Sequence, residues 1–215
     1  MKIKLAIFDL DGTILDTLDD LTASTNYALA SQSLPPRTKD EVREFVGNGI
    51  AKLIERAVPS GTSEQMKSRV YEAFTTHYRQ HCMDATRPYD GMIELLQGLK
   101  SRDMKLAVVS NKADAHVQKL CEIYFPDIFD FVVGERVGIR KKPAPDSVQE
   151  VLTKLSISCV DAVYIGDSDV DIETASNAHM PCISVTWGFR TREFLERHGA
   201  IHIVDRVREL EGMLG

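Results

Sequence analysis

Six short apolar, β-rich runs constrain this chain more than any other feature: Lys4–Phe8, Lys105–Val109, Phe131–Val133, Ala162–Ile165, Cys182–Thr186 and Ile201–Val204. They are continuous hydrophobic runs rather than alternations of apolar and polar residues. Between the later ones lie stretches with helical periodicity, Met92–Lys100, Ala113–Ile123 and Ser147–Leu155. Strands buried on both faces and joined through helices build a parallel sheet. The expected fold class is α/β, a doubly wound parallel sheet.

One segment breaks the alternation. From about Thr17 to Arg87 no strand pattern occurs, and helical patterns run through Leu18–Ala30, Lys39–Phe45, Ile50–Ala57 and Ser63–His81. The breaks between them are "SLPPRT", "GNG" and "PSGT". The expected organisation is a Rossmann-like core from residues 1–16 and 87–215, with a small α-helical cap, residues 17–86, inserted after strand one. Leu15–Thr17 and Arg87–Tyr89 are expected to form a two-stranded hinge between the two.

Composition excludes several classes. At 43% hydrophobic and 27% charged residues, the 215-residue chain is neither disordered nor fibrous. The net charge of −6 and the lack of a basic stripe argue against a nucleic-acid partner. No apolar run approaches the roughly 18 residues of a membrane span. The opening "MKIKLAIFDLDG" is too short in its apolar part for a signal peptide and breaks into aspartates. Cys82, Cys121, Cys159 and Cys182 are scattered, with no CxxC or zinc spacing, so reduced thiols in a cytoplasmic protein are expected.

Ligands of open α/β sheets bind beyond the carboxyl ends of the strands. After the first run come Asp9, Asp11 and Thr13, and after Lys105–Val109 comes "SNK", Ser110 to Lys112. Phe131–Val133 is followed by "GERVGIRKKPAPD", with Lys141 and Lys142, and Ala162–Ile165 by "GDSDVD", with Asp167, Asp169 and Asp171. Two like charges 4 Å apart repel by about 1–4 kcal/mol, depending on the effective dielectric. Carboxylates converging from two strand ends therefore call for positive charge. A hard divalent cation with oxygen ligands, Mg²⁺ where phosphate is also bound, supplies it. Cation, lysine and hydroxyl together are what phosphoryl transfer requires.

Taken singly, each feature has an ordinary structural reading. "GDSDVDIETA" suits the acidic first turn of a helix, and Ile172 and Ala178 stand where a calcium loop needs Gly and Glu. "RKKPAPD" suits a solvated turn, and Ser110 suits the cap of a helix from Ala113. His77 and His81 suit an exposed helix face, and "GNG" at 47–49 suits a turn before a helix. Order and spacing, rather than any one feature, carry the functional reading.

In that order and spacing the chain resembles the haloacid dehalogenase-like hydrolase superfamily: "DLDGT" at 9–13, the hydroxyl of Ser110, Lys142 before Pro143, and "GDSDVD" at 166–171. "FVGNGIAKLIERAV", "VVSNK", "KKPAPD" and "WGFRTREFLERHGAIHIVDRVREL" are similar to its phosphoglycolate phosphatase branch. The resemblance implies a Mg²⁺-dependent phosphomonoester hydrolase working through an aspartyl phosphate. Asp9 would be the nucleophile and Asp11 the acid/base, also offering its backbone carbonyl to the metal. Asp9 and Asp167 would be carboxylate ligands, with Asp171 in support, and Lys142, rather than Lys141, would complete the catalytic set. Thr13, Ser110 and Asn111 would bind the phosphoryl group, and Asn48, Gly49 and Lys52 of the cap would touch the substrate. Asp169 receives no role.

The implied partner is a small phosphate ester, with no nucleic acid or membrane and a monomeric or homodimeric state. Asp11 argues against a dehalogenase, and "ILDTLDDLTAST" lacks the lysine of phosphonate hydrolysis. Leu21, where a sugar phosphomutase has histidine, argues against that alternative. A sugar phosphomutase, weakened but not removed by Leu21, or a pyrophosphatase or nucleotidase is the alternative, and a non-catalytic phosphate-sensing regulator on the same fold ranks last. Receiver domains carry their aspartate after a later strand, are shorter and lack the insertion.

Overall fold

In the computed structural model, residues 3–215 are described, and they divide into two compact units, residues 3–15 with 88–215 and residues 16–87. The strands are β1 (Leu5–Phe8), β2 (Leu15–Asp16), β3 (Arg87–Pro88), β4 (Lys105–Ala113), β5 (Phe131–Glu135), β6 (Ala162–Gly166), β7 (Cys182–Val185) and β8 (His202–Val204). Among the described residues the larger unit holds one six-stranded sheet in the order β5-β4-β1-β6-β7-β8. All its neighbouring pairs are parallel. The four residues of β1 are wholly buried, as expected of a central strand covered on both faces. Leu5 and Ile7 join a core with Val148 and Val151 of α7 (Asp146–Leu155) and Ala175 of α8 (Asp169–Asn177). Phe8, one residue along and therefore on the opposite face, meets Phe129 edge-on with ring centroids 6.5 Å apart.

The other helices of this unit are α5 (Met92–Ser101), α6 (Asp114–Tyr124), α9 (Arg192–Arg197) and α10 (Val207–Leu214). The sequence places the end of the second long strand at Val109 and the following helix from Ala113. The structure differs: β4 continues through Ser110, Asn111 and Lys112 to Ala113, and α6 starts at Asp114. Register with β5 shifts between Val109 and Ala113, where pairing resumes with Glu135. The irregularity depends on Gly134, because a Cβ there would lie 2.5 Å from the Lys112 carbonyl oxygen and 2.6 Å from the Asp114 Cα. Polar side chains hid this extension, since they resemble a loop in sequence.

The smaller unit is helical: α1 (Leu18–Ser31), α2 (Lys39–Phe45), α3 (Ile50–Ala57) and α4 (Glu64–His81). α1 packs on α4, and Phe74 and Tyr78 stack in the buried seam at 5.3 Å. Thr38 opens α2 with a capping box closed by Glu41, and the Ser63 hydroxyl accepts from the Met66 N–H at the start of α4. His77 is more enclosed than its helical position suggests. Its ring lies between Tyr27 and His81, with centroids 4.1 and 4.2 Å away, and its Nδ1 is 3.0 Å from the Ser24 hydroxyl. His81 in turn pairs with Asp84 at 2.7 Å.

Among the described residues no helix is long and apolar enough to cross a membrane, and none of the four cysteines is in a disulfide. Burial pushes the Cys182 thiol, and burial with Asp11 nearby the Cys121 thiol, up to about 12.

Asp20, read from the sequence only as part of a helix, is buried and accepts the backbone N–H groups of Ala85 and Thr86, both at 2.9 Å. It therefore fixes the returning chain to the first turn of α1. Replacing it with alanine leaves two backbone donors short of partners, at about 1–3 kcal/mol. The Asp20→Ala variant should unfold at a correspondingly lower urea concentration, and an unchanged midpoint would refute this role.

Candidate active site

Central strand β1 ends in a tight turn built on one carbonyl. The N–H groups of Thr13, Ile14 and Leu15 all point to the Leu10 oxygen, at 3.3, 3.1 and 3.0 Å. Leu10 is fully buried, so it anchors the turn from below while Asp9 and Asp11 flank it. Gly12 has φ +83, and a Cβ there would collide with the Asp167 carboxylate, so only glycine allows the turn to lie against β6. Thr13 is wholly buried, with its hydroxyl 3.4 Å from Asp167 Oδ1. Its hydroxyl thus donates to a carboxylate of the cluster.

The two aspartates of the turn have different partners. Asp9 Oδ1 accepts from the Leu10 N–H at 2.7 Å and pairs with Lys142 Nζ at 2.8 Å. Asp11 is held by Lys112, whose Nζ reaches Oδ1 at 2.8 Å and Oδ2 at 3.0 Å. Lys142 also donates to Asp171 Oδ1 at 2.7 Å and to the Tyr164 hydroxyl at 3.1 Å. Its three protons are thereby matched by three acceptors. Tyr164, fully buried on β6, passes its own proton to the Val109 carbonyl at 3.1 Å. Asp171 Oδ2 accepts from the Ser168 N–H at 3.1 Å and from its hydroxyl at 2.6 Å. Asp167 Oδ2 accepts the Phe189 N–H at 2.7 Å.

Asp9, Asp167 and Asp171 bring carboxylate oxygens within 4.8 Å of one another. The charge of Lys142 cannot balance three buried carboxylates. Burial, opposed by Lys142 and reinforced by Asp171 and Asp11, pushes Asp9 up to about 7. Burial, then Asp171 and Asp9, holds Asp167 well above the usual carboxylate range. Burial works against the charge on Lys142, but Asp171 and Asp9 outweigh it and keep the amine well above its ordinary value. An all-oxygen donor set with excess negative charge is the chemistry of a hard divalent cation site. The Asp11 carboxylate lies outside this cluster and against Lys112, so any part it has in metal binding falls to its backbone.

The remaining expected residues are placed as follows. Ser110 is buried, and its hydroxyl accepts the Lys112 N–H at 3.2 Å, which keeps its own proton available to a ligand. Asn111 donates through Nδ2 to the Lys142 carbonyl at 3.1 Å. Lys141 points instead to Glu135, 3.9 Å away. Asp169 lies 3.8 Å from the Arg190 Nε. In the helical unit Asn48, Gly49 and Lys52 sit together at the start of α3, where Asn48 accepts from Arg56 at 2.8 Å and Lys52 pairs with Glu55 at 2.7 Å. Sequence reasoning gave no role to Lys112, Tyr164, Ser168 or the Phe189 backbone. The "SNK" string was the available signal for Lys112, whereas a tyrosine inside an apolar run looks like ordinary core.

Two outcomes follow from this geometry. Tyr164→Phe strips one acceptor from Lys142 and the donor from Val109, and should lower stability by about 1–3 kcal/mol in chemical denaturation. An unchanged midpoint would mean that the hydroxyl holds nothing in place. The second concerns pH. An acid whose folded pKa exceeds its unfolded one carries extra protons when folded, so its contribution to stability declines as pH rises between the two values. With chelator present, Asp9→Asn should gain stability relative to the parent as pH rises from about 4 to about 7, and hold that gain above. A difference independent of pH would contradict the raised pKa.

The profile of the haloacid dehalogenase-like hydrolase family matches residues 6–185. The phosphoglycolate phosphatase of Agrobacterium fabrum is 35% identical over 209 residues, spanning 94% of this chain and 88% of its own length. The N-acetylmuramic acid 6-phosphate phosphatase of Pseudomonas aeruginosa is 30% identical over 216 residues, spanning 100% and 96%. Among solved structures, a chain from Lactobacillus delbrueckii subsp. bulgaricus, itself proposed to be a phosphoglycolate phosphatase, superimposes with a TM-score of 0.96 at 40% identity. That similarity covers 100% of this chain and 99% of the other. With a central-strand aspartate pair, an acidic cluster and a buried lysine at one sheet edge, this chain belongs to the haloacid dehalogenase-like hydrolase family.

Proposed function

We propose that the chain is a Mg²⁺-dependent phosphomonoesterase of the cytoplasm acting on a small organic phosphate, with 2-phosphoglycolate as its substrate. The observation that carries the reading is the arrangement of Asp9: both donors to its carboxylate act on Oδ1, which presents Oδ2 as the attacking oxygen. In the first step an Asp9 oxygen bonds to phosphorus, the ester P–O bond breaks, and Asp11 gives its proton to the departing alcohol. In the second, water bonds to phosphorus, the Asp9–phosphorus bond breaks, and Asp11 takes the water's proton.

Ser110 donates its hydroxyl proton to the transferring group. Lys142 steadies Asp9 and offsets charge that develops on the phosphoryl oxygens. Asp9 and Asp167 would hold the cation, with Asp171 supporting them through Lys142, and Thr13 steadies Asp167. When bound, Mg²⁺ supplies the positive charge that one lysine cannot provide against the carboxylates and a phosphate dianion.

The phosphoglycolate assignment draws support from the Agrobacterium relative. The Pseudomonas phosphatase, with a larger sugar phosphate in its name and similar overall identity, makes residues 17–86, including Asn48, Gly49 and Lys52, the proposed source of substrate choice. The test is phosphate release with Mg²⁺ from a panel containing 2-phosphoglycolate, N-acetylmuramic acid 6-phosphate, β-glucose 1-phosphate and a nucleoside monophosphate. Phosphoglycolate should be preferred, and both EDTA and Asp9→Asn should reduce its turnover by more than about 10³-fold. Preference for another ester would overturn the substrate assignment. Absence of phosphate release from every ester would overturn the phosphatase reading.

A further inference from the structure

Lys112 has no place in the chemistry above, yet its side chain is 4% exposed and carries a charge. Burying an ammonium forfeits several kcal/mol of hydration, and a buried ion pair often contributes no more to stability than an apolar pair of similar volume. Stability alone is thus a poor reason for a lysine here. Its partner is the Asp11 carboxylate, which keeps 17% of its side-chain surface exposed. The acid/base therefore faces the more open side, and its holder lies behind it.

The backbone of Lys112 is itself fixed. Its N–H donates to Ser110, and its carbonyl lies where β5 approaches so closely that Gly134 has no room for a Cβ. One nitrogen bonding both carboxylate oxygens removes the rotational freedom of the Asp11 head group, while each oxygen retains a second lone pair for a proton.

We propose that Lys112 is the positioning residue of the acid/base, holding Asp11 by both oxygens in the orientation from which it accepts the proton of the hydrolytic water. The assignment rests on the phosphomonoesterase reading and deepens it by separating the holders of the two aspartates. Lys142 serves the nucleophile on Asp9, and Lys112 serves proton transfer at Asp11. Losing Lys112 therefore harms the steps that need a proton moved and spares a step that does not.

p-Nitrophenyl phosphate makes that distinction, because its phenolate departs without a proton whereas water still must lose one to attack the phosphoaspartate. In rapid-quench experiments with Mg²⁺, Lys112→Met should release about one equivalent of nitrophenolate per enzyme at near the parental rate. Steady turnover should then be slower by about 10²-fold, the scale of a lost acid/base. Acid-quenched protein should carry phosphate on Asp9, labile to hydroxylamine. With an alkyl phosphate, which needs the proton in both steps, the burst should vanish. Lys112→Arg, which also offers two N–H groups, should restore steady turnover.

A folded Lys112→Met variant that slows both phases in parallel without accumulating phosphoprotein, or leaves both unchanged, would overturn the assignment. So would a folded Lys112→Arg variant that rescues nothing. If the methionine variant fails to fold by circular dichroism, Lys112→Gln is read in the same way, since it keeps most of the volume. A parent protein inert toward every phosphomonoester would bring down the phosphatase reading, and this assignment with it.

Discussion

The ammonium of Lys142 is the point on which the rest of the site depends. It is buried, and a charge so placed is tolerable only when each of its protons is matched. The three partners come from three parts of the chain: Asp9 after β1, Tyr164 in β6 and Asp171 in the first turn of α8. Tyr164 also ties the lysine to β4 through the Val109 carbonyl. Sheet, helix and loop thus meet at one nitrogen. The same nitrogen leaves a deficit, because one positive charge faces three carboxylates. Burial, reinforced by the neighbouring carboxylates, drives Asp9 and Asp167 upward in pKa, and the deficit is the reason oxygen ligands here suit a divalent cation.

The pairing of the two neighbouring aspartates with different lysines separates their tasks. Two carboxylates with a single residue between them would compete for one counter-charge if both turned the same way. The Leu10 turn prevents it. Leu10 is buried below, Asp9 is held toward the loop after β5, and Asp11 is held toward the extended end of β4. Removing one lysine then disturbs one carboxylate more than the other, which is the basis for distinguishing nucleophilic attack from proton transfer by mutation.

What was legible in the sequence follows from what each level of structure requires. The strands were visible because a strand covered on both faces must be apolar at every position, as β1 is. The groups at the sheet edge were visible by chemical type, since few folds gather aspartates, a lysine and a hydroxyl after successive strands. Pairings were not visible. Nothing in "SNK" says that its lysine faces Asp11, because that depends on β4 continuing past Val109 and on close approach at Gly134. Tyr164 was hidden for a different reason: a tyrosine in a hydrophobic run satisfies the pattern whether or not its hydroxyl works. Asp20 resembled an ordinary helix-start acid, and only the return of the chain at Ala85 and Thr86 gives it partners.

Sheet register explains why these pairings are reproducible. Phe8 of β1 lies opposite Val108 of β4 and Ile165 of β6. The next residues, Asp9, Val109 and Gly166, therefore stand at one level across the sheet, and the polar groups beyond them lie side by side. A slip of one residue would reverse every side chain of β1. Phe8 and Ile7 would exchange faces, and Asp9 would turn away from Lys142. The slip is resisted by the packing of the core, where burying each large apolar side chain is worth about 1.5–3 kcal/mol. Catalytic geometry and core packing are thus one constraint: the hydrophobic residues that fix the strands also set the level at which the charges meet.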